Sequence, residues 1–177
     1  MTNYLLLSGS PRVGNTDYVL KRVYDGINSK NKELVFLRMK NIKHCLGCLS
    51  CDKHKRKCVT EDDMSSLCKR LEWADVIIIG TPNYYDNVSG LLKDFIDRTN
   101  SYDGYLKGKK IVEIVVGGNS EVESKRVTNG ALKYFAEAHN MKVVSSYCFS
   151  AFGINELKND KKAIVKINAI VKKVNSL

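Results

Sequence analysis

Residues 4–16 read YLLLSGSPRVGNT, and this stretch predicts a strand that runs through a polar loop into a helix. Tyr4–Ser8 is almost wholly apolar, which is typical of a strand in a parallel sheet covered on both faces. From Asn15 to Asn28, apolar residues recur at helical spacing. A helix that starts directly after a strand directs its free N–H groups and the positive end of its dipole into the connecting loop.

This loop carries the residue types that bind a phosphate monoester. Arg12 can pair with a phosphate, and a glycine such as Gly14 lets backbone N–H groups approach a ligand closely. Ser10, Asn15 and Thr16 add side-chain hydrogen-bonding groups. The loop matches neither the dinucleotide pattern G-x-G-x-x-G nor the GK[ST] ending of the Walker loop. An ordinary strand-to-helix turn with a good N-cap is the alternative interpretation.

The rest of the chain alternates between strand and helix patterns. Five strands are predicted at 4–8, 33–39, 75–80, 110–117 and 142–149, and five helices at about 15–28, 60–73, 89–99, 121–140 and 160–175. Such alternation predicts an α/β fold with a parallel sheet. Ligands of doubly wound sheets bind at the carboxyl ends of the strands, where the strand order reverses. The loops after strands one, three and four are therefore the candidate binding loops.

The loops after the third and fourth strands also contain unusual sequences. In TPNYYDNVSG, at 81–90, Pro82 stiffens the turn, and the next residues can present backbone N–H groups and an aromatic ring to a flat ligand. Alternatively, the two tyrosines cover the edge of the core. The fourth strand ends in VVGGNS, at 115–120, whose paired glycines indicate close approach of another group or a simple turn.

Together these motifs resemble the NADPH-dependent FMN reductase family of flavodoxin-like proteins. The resemblance rests on G-S-P-R-x-x-N-T at 9–16, T-P-x-Y at 81–84 and F-I-D-R at 95–98. It implies FMN as cofactor and a doubly wound, five-stranded parallel sheet in the order 2-1-3-4-5, with helices on both faces. The implied FMN-binding residues are Ser10, Arg12, Gly14, Asn15 and Thr16 around the phosphate, Pro82, Asn83, Tyr84, Tyr85, Asp86 and Asn87 along the flavin ring, and Gly117 and Gly118 in a third loop.

Four of the six cysteines lie in one segment, CLGCLSCDKHKRKC at 45–58. A 4Fe–4S cluster needs four thiolates, which Cys45, Cys48, Cys51 and Cys58 can supply. A structural zinc also accepts four cysteines, although zinc ribbons usually use two separated C-x2-C pairs. The third interpretation is free thiols or a thiol switch, because basic neighbours favour the reactive thiolate. The spacing resembles the iron–sulfur flavoprotein branch of the same family, whose cysteines lie in this same connection, and this resemblance favours the cluster.

Other residues near these cysteines have plainer interpretations. His44 and His54 are expected at the surface rather than as metal ligands. The basic run at 53–57 is typical of a solvated face, and it could also offset the charge of a cluster or attract an acidic protein. Cys68 and Cys148, on a predicted helix and a predicted strand, are expected to be buried, unreactive thiols.

Length and composition predict one compact domain over residues 1–177, with a cysteine-rich connection at about 40–59. The formal net charge is +10, but the lysines are scattered, so nucleic-acid binding is not expected. No apolar run is long enough to span a bilayer, and the N-terminus reads as a first strand rather than a signal peptide. We therefore expect a cytoplasmic protein with no membrane partner.

The predicted function is that of an FMN-dependent oxidoreductase, in which the flavin carries the chemistry and the protein binds and orients it. In the iron–sulfur branch, electrons would pass between a 4Fe–4S cluster and FMN, with a redox protein such as ferredoxin or a small-molecule acceptor as partner. The alternative is a cluster-free NAD(P)H-dependent FMN or quinone reductase that takes hydride directly. A non-enzymatic flavin- or metal-dependent regulatory protein is a third hypothesis. The family resemblance also implies a homodimer or homotetramer.

Overall fold

A five-stranded parallel sheet forms the centre of the computed structural model, which describes residues 1–53, 57–102, 104–118 and 120–177. The strands are β1 (Tyr4–Ser8), β2 (Lys32–Phe36), β3 (Val76–Pro82), β4 (Lys110–Gly117) and β5 (Lys142–Ser150). Their order is β2-β1-β3-β4-β5 and every neighbouring pair is parallel. The predicted fold class and strand order are confirmed.

Helices cover both faces of this sheet. They are α1 (Asn15–Gly26), the single turn α2 (Ser50–Lys53), α3 (Met64–Trp73), α4 (Gly90–Arg98), α5 (Glu121–Val127), α6 (Lys133–Ala138) and α7 (Lys161–Asn175). Successive strand residues point to opposite faces, so Leu6 and Ile78 pack in one core with α1 and α7. Leu5 and Ile77 pack in the other core with α3, α4 and α6. No helix among the described residues is long and apolar enough to cross a membrane.

The second strand, predicted at 33–39, ends at Phe36, because Leu37–Met39 forms a 3-10 turn. Two predicted helices also differ from the structure by more than two residues. The helix predicted at 121–140 is interrupted by a π-helical turn at Thr128–Leu132, where Gly130 has non-helical dihedral angles of φ −105° and ψ −111°. Glycine tolerates such a backbone, and this divides the helix into α5 and α6. The helix predicted from Thr60 starts only at Met64, because the Asp62 carboxylate accepts the Met64 N–H group at 3.0 Å.

The start of α4 is held against the loop that follows β1. Ser89 caps the helix by accepting the Leu92 N–H group at 3.1 Å, and its hydroxyl donates to the Gly9 carbonyl at 2.5 Å. A side chain at Gly9 would not fit, since its Cβ would lie 2.7 Å from the Leu92 Cβ. Glycine at this position therefore brings the β1 loop and the β3 loop to the same corner of the sheet.

Candidate functional site

A cavity of about 210 Å³ opens at the carboxyl edge of the sheet. Its walls come from the loops after β1, β3, β4 and β5. It is lined by Ser10, Arg12, Gly14, Asn15, Thr16, Pro82, Asn83, Tyr84, Val116, Gly117, Gly118, Ala151 and Phe152. The structure thus brings together all the predicted residues of the first and third loops and the first three of the second loop.

The first loop presents an unpaired cation and an uncapped helix to this cavity. The side chain of Arg12 is exposed and makes no hydrogen bond or ion pair within the described part of the chain. Ser10 closes the loop, because its hydroxyl donates to the Arg12 carbonyl at 2.6 Å. Gly14 is the N-cap of α1 and has no side chain to satisfy the N–H groups of the first turn. A free guanidinium beside free helix N–H groups is suited to binding an anion such as a phosphate.

Buried polar side chains fix the shape of the loop from below. The Ser8 hydroxyl donates to Asp17 at 2.6 Å and accepts the Ser10 N–H group at 3.3 Å. The other Asp17 oxygen lies 2.8 Å from Arg38. This ion pair matters for an anion site, because an unpaired carboxylate in the first turn of α1 would repel the ligand. Sequence reasoning missed these residues, and only the contact between sequence-distant elements reveals them.

Asn15 makes a different contact from the one expected. Its amide donates to the Gly153 carbonyl at 2.8 Å, and its carbonyl oxygen accepts the Leu157 N–H group at 3.2 Å. The side chain thus holds the loop after β5 against the cavity. Phe152 belongs to this loop and lies so close to Gly118 that a Cβ there would be 2.9 Å from the ring. Sequence reasoning also missed this fourth loop, although its position after a parallel strand was a usable signal.

The second loop contributes its first half to the cavity. The Asn83 N–H group donates to the Val116 carbonyl at 2.8 Å, which fixes the loop to the end of β4. The side-chain oxygen of Asn83 is buried and has no partner within the described residues. A Cβ at Gly117 would lie 2.8 Å from the Asn83 Cβ, so glycine permits this approach. The unpaired oxygen and the glycine-lined wall are consistent with a bound polar ligand.

The second half of that loop turns away from the cavity. Tyr84 and Asn87 exchange two backbone hydrogen bonds of 3.0 Å, and the residues between them have positive φ angles, 51° for Tyr85 and 56° for Asp86. This is the geometry of a type I′ turn. Tyr85 at its tip is fully exposed, whereas Asp86 pairs with Arg126 at 2.5 Å. The structure therefore does not place Tyr85, Asp86 or Asn87 in the cavity wall.

Asn87 instead lines a second cavity, of about 950 Å³, next to the cysteine segment. Cys45 and Gly47 form one side of this cavity, and residues of α4 and α6 form the others. The turn at 84–87 thus lies between the first cavity and the cysteine segment. This arrangement connects the loop after β3 with the first of the four clustered cysteines.

The cysteine segment supplies four free thiols, and the described residues around them form no metal site. Cys45 and Cys48 are exposed, and Cys51 and Cys58 are half-buried. The sulfur of Cys51 accepts a hydrogen bond from the side chain of Asn100 at 3.4 Å. Among the described residues, no group of three or more Cys, His, Asp or Glu side chains could hold a metal ion. The donor set therefore suits a 4Fe–4S cluster in number and chemistry, whereas the arrangement of the thiols does not.

The remaining thiols and histidines can be compared with their predictions. Cys68 and Cys148 are buried as predicted, and burial raises the pKa of both thiols, that of Cys68 to about 12. His44 is exposed, and its hydrogen bond to Asp94 at 2.7 Å raises its pKa. His54 and two further residues of the basic run, at 55 and 56, lie outside the described residues.

The sequence model of the NADPH-dependent FMN reductase family matches residues 2–155. The chain belongs to this family. It is similar to two iron–sulfur flavoproteins of Methanocaldococcus jannaschii. The first is 36% identical over 64% of this chain and 60% of the relative. The second is 32% identical over 78% of this chain and 73% of the relative. For several of the curated relatives it matches, the chain spans only about half to three fifths of their length.

The fold is shared with the solved structure of an oxidoreductase. The NAD(P)H:quinone oxidoreductase of Methanothermobacter marburgensis superposes with a TM-score of 0.73 at 15% identity, over 99% of this chain and 96% of that one. At this identity the likeness shows the fold alone. The first cavity therefore belongs to a flavodoxin-like member of the FMN reductase family.

Proposed function

We propose that this protein is an FMN-dependent oxidoreductase that binds the flavin in the cavity at the carboxyl edge of its sheet. The observation that carries the proposal is the unpaired Arg12 guanidinium beside the uncapped start of α1. Both groups attract a phosphate, and both lie in a cavity whose other walls include two glycines and the side chains of Tyr84 and Phe152. Membership of the FMN reductase family supplies the identity of the ligand.

The residues of the cavity have separate tasks in this proposal. Arg12 and the N–H groups at 15 and 16 bind the phosphate, and Ser10 holds the loop that presents them. Asn83 and the backbone at Gly117 and Gly118 would orient the ring system, and Phe152 would cover it from solvent. FMN, when bound, supplies the transfer of hydride or of single electrons. No side chain of the cavity needs to act as a nucleophile.

The flavin proposal is tested by the cofactor that the protein carries. We expect FMN, and neither FAD nor riboflavin, in the supernatant after denaturation, with close to one FMN for each chain after reconstitution. Flavin fluorescence should be quenched or shifted on titration of the flavin-free protein. A chain that releases no flavin and takes up no added FMN would disprove the proposal.

We further propose that Cys45, Cys48, Cys51 and Cys58 bind a 4Fe–4S cluster that exchanges electrons with FMN. Support comes from the names of the relatives, from four thiols in one segment, and from the cavity that Cys45 shares with Asn87. Anaerobically prepared or reconstituted protein should contain four iron and four sulfide for each chain. Serine at any of the four positions should abolish this content, whereas Cys148→Ala, as a buried control, should retain it. Less than one iron for each chain in wild-type protein would contradict the cluster.

A cluster-free NAD(P)H-dependent FMN or quinone reductase is the second candidate. It is favoured by the dispersed arrangement of the four thiols among the described residues. Anaerobic mixing with NADPH distinguishes the two candidates. Rapid bleaching of the flavin by NADPH alone, in protein without iron, would support direct hydride transfer, whereas reduction only through a reduced ferredoxin would support the electron-transfer function.

A homodimer or homotetramer is part of the proposal. Sedimentation velocity with FMN bound should give a mass at least twice that of the 19.9 kDa chain. A monomer at micromolar concentration would contradict it.

A further inference from the structure

The loop after β5 is fixed by a side chain from the start of α1. Asn15 is the first residue of that helix, and its side-chain amide donates to the Gly153 carbonyl at 2.8 Å. Its side-chain oxygen accepts the Leu157 N–H group at 3.2 Å. Gly153 and Leu157 stand on either side of the turn at 154–156, so Asn15 holds both sides of that turn against α1.

The same loop is also closed on itself and joined to the sheet. One oxygen of Glu156 accepts the Phe152 N–H group at 2.8 Å and the Gly153 N–H group at 2.7 Å. The Ala151 N–H group donates to the Gly117 carbonyl at 2.8 Å, which fixes the start of the loop to the end of β4. These hydrogen bonds give residues 151–157 a defined shape, and the Asn15 side chain connects that shape to the loop after β1.

Phe152 is the side chain that this loop presents to the first cavity. The residue lines the cavity and is 81% exposed. Its ring lies against the backbone of Gly118, where a Cβ would be 2.9 Å from it. An aromatic ring buries a large apolar area when a planar ligand covers it. Phe152 is therefore placed to contact the ring system of a flavin bound in this cavity.

Asn15 uses its backbone and its side chain for different partners. Its N–H group belongs to the first turn of α1 and has no acceptor within the helix, so it is available to a phosphate. Both polar atoms of its side chain are bonded to the loop after β5. A loop held in its binding conformation spares the ligand the entropy cost of ordering it. The side chain can therefore raise flavin affinity without touching the flavin.

We propose that Asn15 is a positioning residue whose side chain strengthens flavin binding through Phe152 and not through the phosphate. It holds residues 151–157 so that the Phe152 ring stays against Gly118 and contacts the ring system of the flavin. The inference rests on the proposed binding of FMN in this cavity. It gives the Asn15 side chain a role different from the phosphate contact that its sequence context predicts.

The first test compares two flavins that differ only in the phosphate. Flavin-free protein is titrated with FMN and with riboflavin, and binding is followed by flavin fluorescence. Asn15→Ala should weaken the binding of both by the same factor, about tenfold, because either ligand must then order the loop. Arg12→Ala should weaken FMN binding and leave riboflavin binding near that of the wild type. A loss for FMN without a loss for riboflavin would make Asn15 a phosphate ligand and overturn the proposal, as would unchanged affinity for both.

Asn175 provides a matched control at the other end of α1. Its side chain makes the same pair of bonds, since the amide donates to the Gly26 carbonyl at 2.9 Å and the oxygen accepts the Asn28 N–H group at 3.0 Å. Asn175→Ala should therefore lower thermal stability about as much as Asn15→Ala while leaving the affinity for both flavins unchanged. Equal losses of flavin affinity in the two variants would overturn the proposal, because lost stability would then explain the effect.

The second test asks whether Asn15 acts through Phe152. Phe152→Ala should also weaken the binding of both flavins, whereas Phe152→Tyr, which keeps the ring, should bind them as the wild type does. In the Phe152→Ala background, Asn15→Ala should cause little further loss, because the ring that it positions is gone. Fully additive losses in the double variant would refute this route of action.

Failure of this inference can be told apart from failure of the flavin proposal. Wild-type protein that binds neither flavin contradicts the proposed function, and the role of Phe152 falls with it. Wild-type protein that binds FMN with an affinity that Asn15→Ala does not change contradicts the positioning role alone.

Amide hydrogen exchange in flavin-free protein tests the contact itself. Asn15→Ala should accelerate exchange across residues 151–157 by roughly tenfold, because it removes both hydrogen bonds that hold the loop to α1. Asn175→Ala should leave exchange in this range unchanged. Equal exchange in Asn15→Ala and wild-type protein would show that the loop does not depend on Asn15 and would overturn the proposal.

Discussion

A buried carboxyl group in the sheet should make the stability of this protein depend on pH. Glu113 lies on β4 and is 1% exposed. One of its oxygens accepts the Ser146 hydroxyl at 2.5 Å, and the other is buried without a partner in the described part of the chain. Burial raises the pKa of Glu113 from 4.5 to about 7, because the site disfavours the charged form.

The direction and size of the pH effect follow from the difference between the pKa of Glu113 in the folded chain and its pKa in the unfolded chain. Below pH 4.5 the Glu113 carboxyl group is protonated in both the folded and the unfolded chain, so its ionisation does not lower the free energy of unfolding. Between pH 4.5 and 7 only the unfolded chain releases its proton, and the free energy of unfolding falls as the pH rises. At 1.36 kcal/mol for each pKa unit, the cost above pH 7 reaches about 3 kcal/mol.

The assay compares wild-type protein with Glu113→Gln, which keeps the shape and cannot ionise. Urea unfolding followed by circular dichroism at pH 5 to 8 should show the wild type losing about 2–3 kcal/mol relative to the variant across this range. Glu137→Gln is the control, because Glu137 lies at an exposed position near Lys133 and should show no such divergence. Parallel curves for wild type and Glu113→Gln would refute the assignment of a raised pKa.

Three further perturbations address the cavity and the helix beside it. Arg12→Ala should weaken FMN binding by about 10–100-fold in a fluorescence titration without lowering thermal stability, whereas Arg22→Ala on the exposed side of α1 should change neither. Gly117→Ala should reduce FMN affinity, because its Cβ would displace Asn83 from a distance of 2.8 Å, and unchanged affinity would argue against that contact. Ser89→Ala should lower the free energy of unfolding by about 1–3 kcal/mol, since it removes a helix cap and a buried hydrogen bond, and a loss below 0.5 kcal/mol in urea would contradict this reading.

Local sequence rules were sufficient for the sheet and for most of the cavity. Apolar runs such as Ile77–Ile79 are buried on both faces and could only be inner parallel strands. Parallel strands bring their carboxyl ends to one edge, so the loops that follow β1, β3 and β4 had to meet. This is why the sequence alone assigns residues as distant as Arg12 and Gly117 to one site.

The features that escaped prediction depend on contacts between distant residues. Tyr85 and Asp86 form a type I′ turn, although tyrosine is not a residue type favoured at its central positions and no glycine marks the turn. The Asn15 side chain carries hydrogen-bonding groups suited to a phosphate, yet its amide donates to the carbonyl of Gly153, more than one hundred residues further along the chain. Phe152 follows β5, a strand whose loop carries no glycine pair or motif to mark it.

The conformation of the cysteine segment could not be predicted from the fold, and the physical reason is a different one. Among the described residues from 40 to 59, only Ile42 packs against a hydrophobic core. Core packing therefore does not determine how this segment is arranged. Its two ends are held instead by Arg98 and Asp62, which hydrogen-bond to Lys43 and Thr60 at its base.

Helix α4 connects the loop after β1 with the cysteine segment, and this connection limits how the two can move relative to each other. Its first turn is fixed to the loop after β1 through Ser89, and its last residue, Arg98, is fixed to both ends of the cysteine segment. Nine residues of helix span about 14 Å, so the candidate flavin loop and the cysteine segment are held at a distance set by one rigid element. A variant at either end should thus alter its own site while the other keeps its geometry. Since Phe95 and Leu92 anchor the helix fully in the core between these ends, we expect Arg98→Lys to leave FMN affinity unchanged in a fluorescence titration.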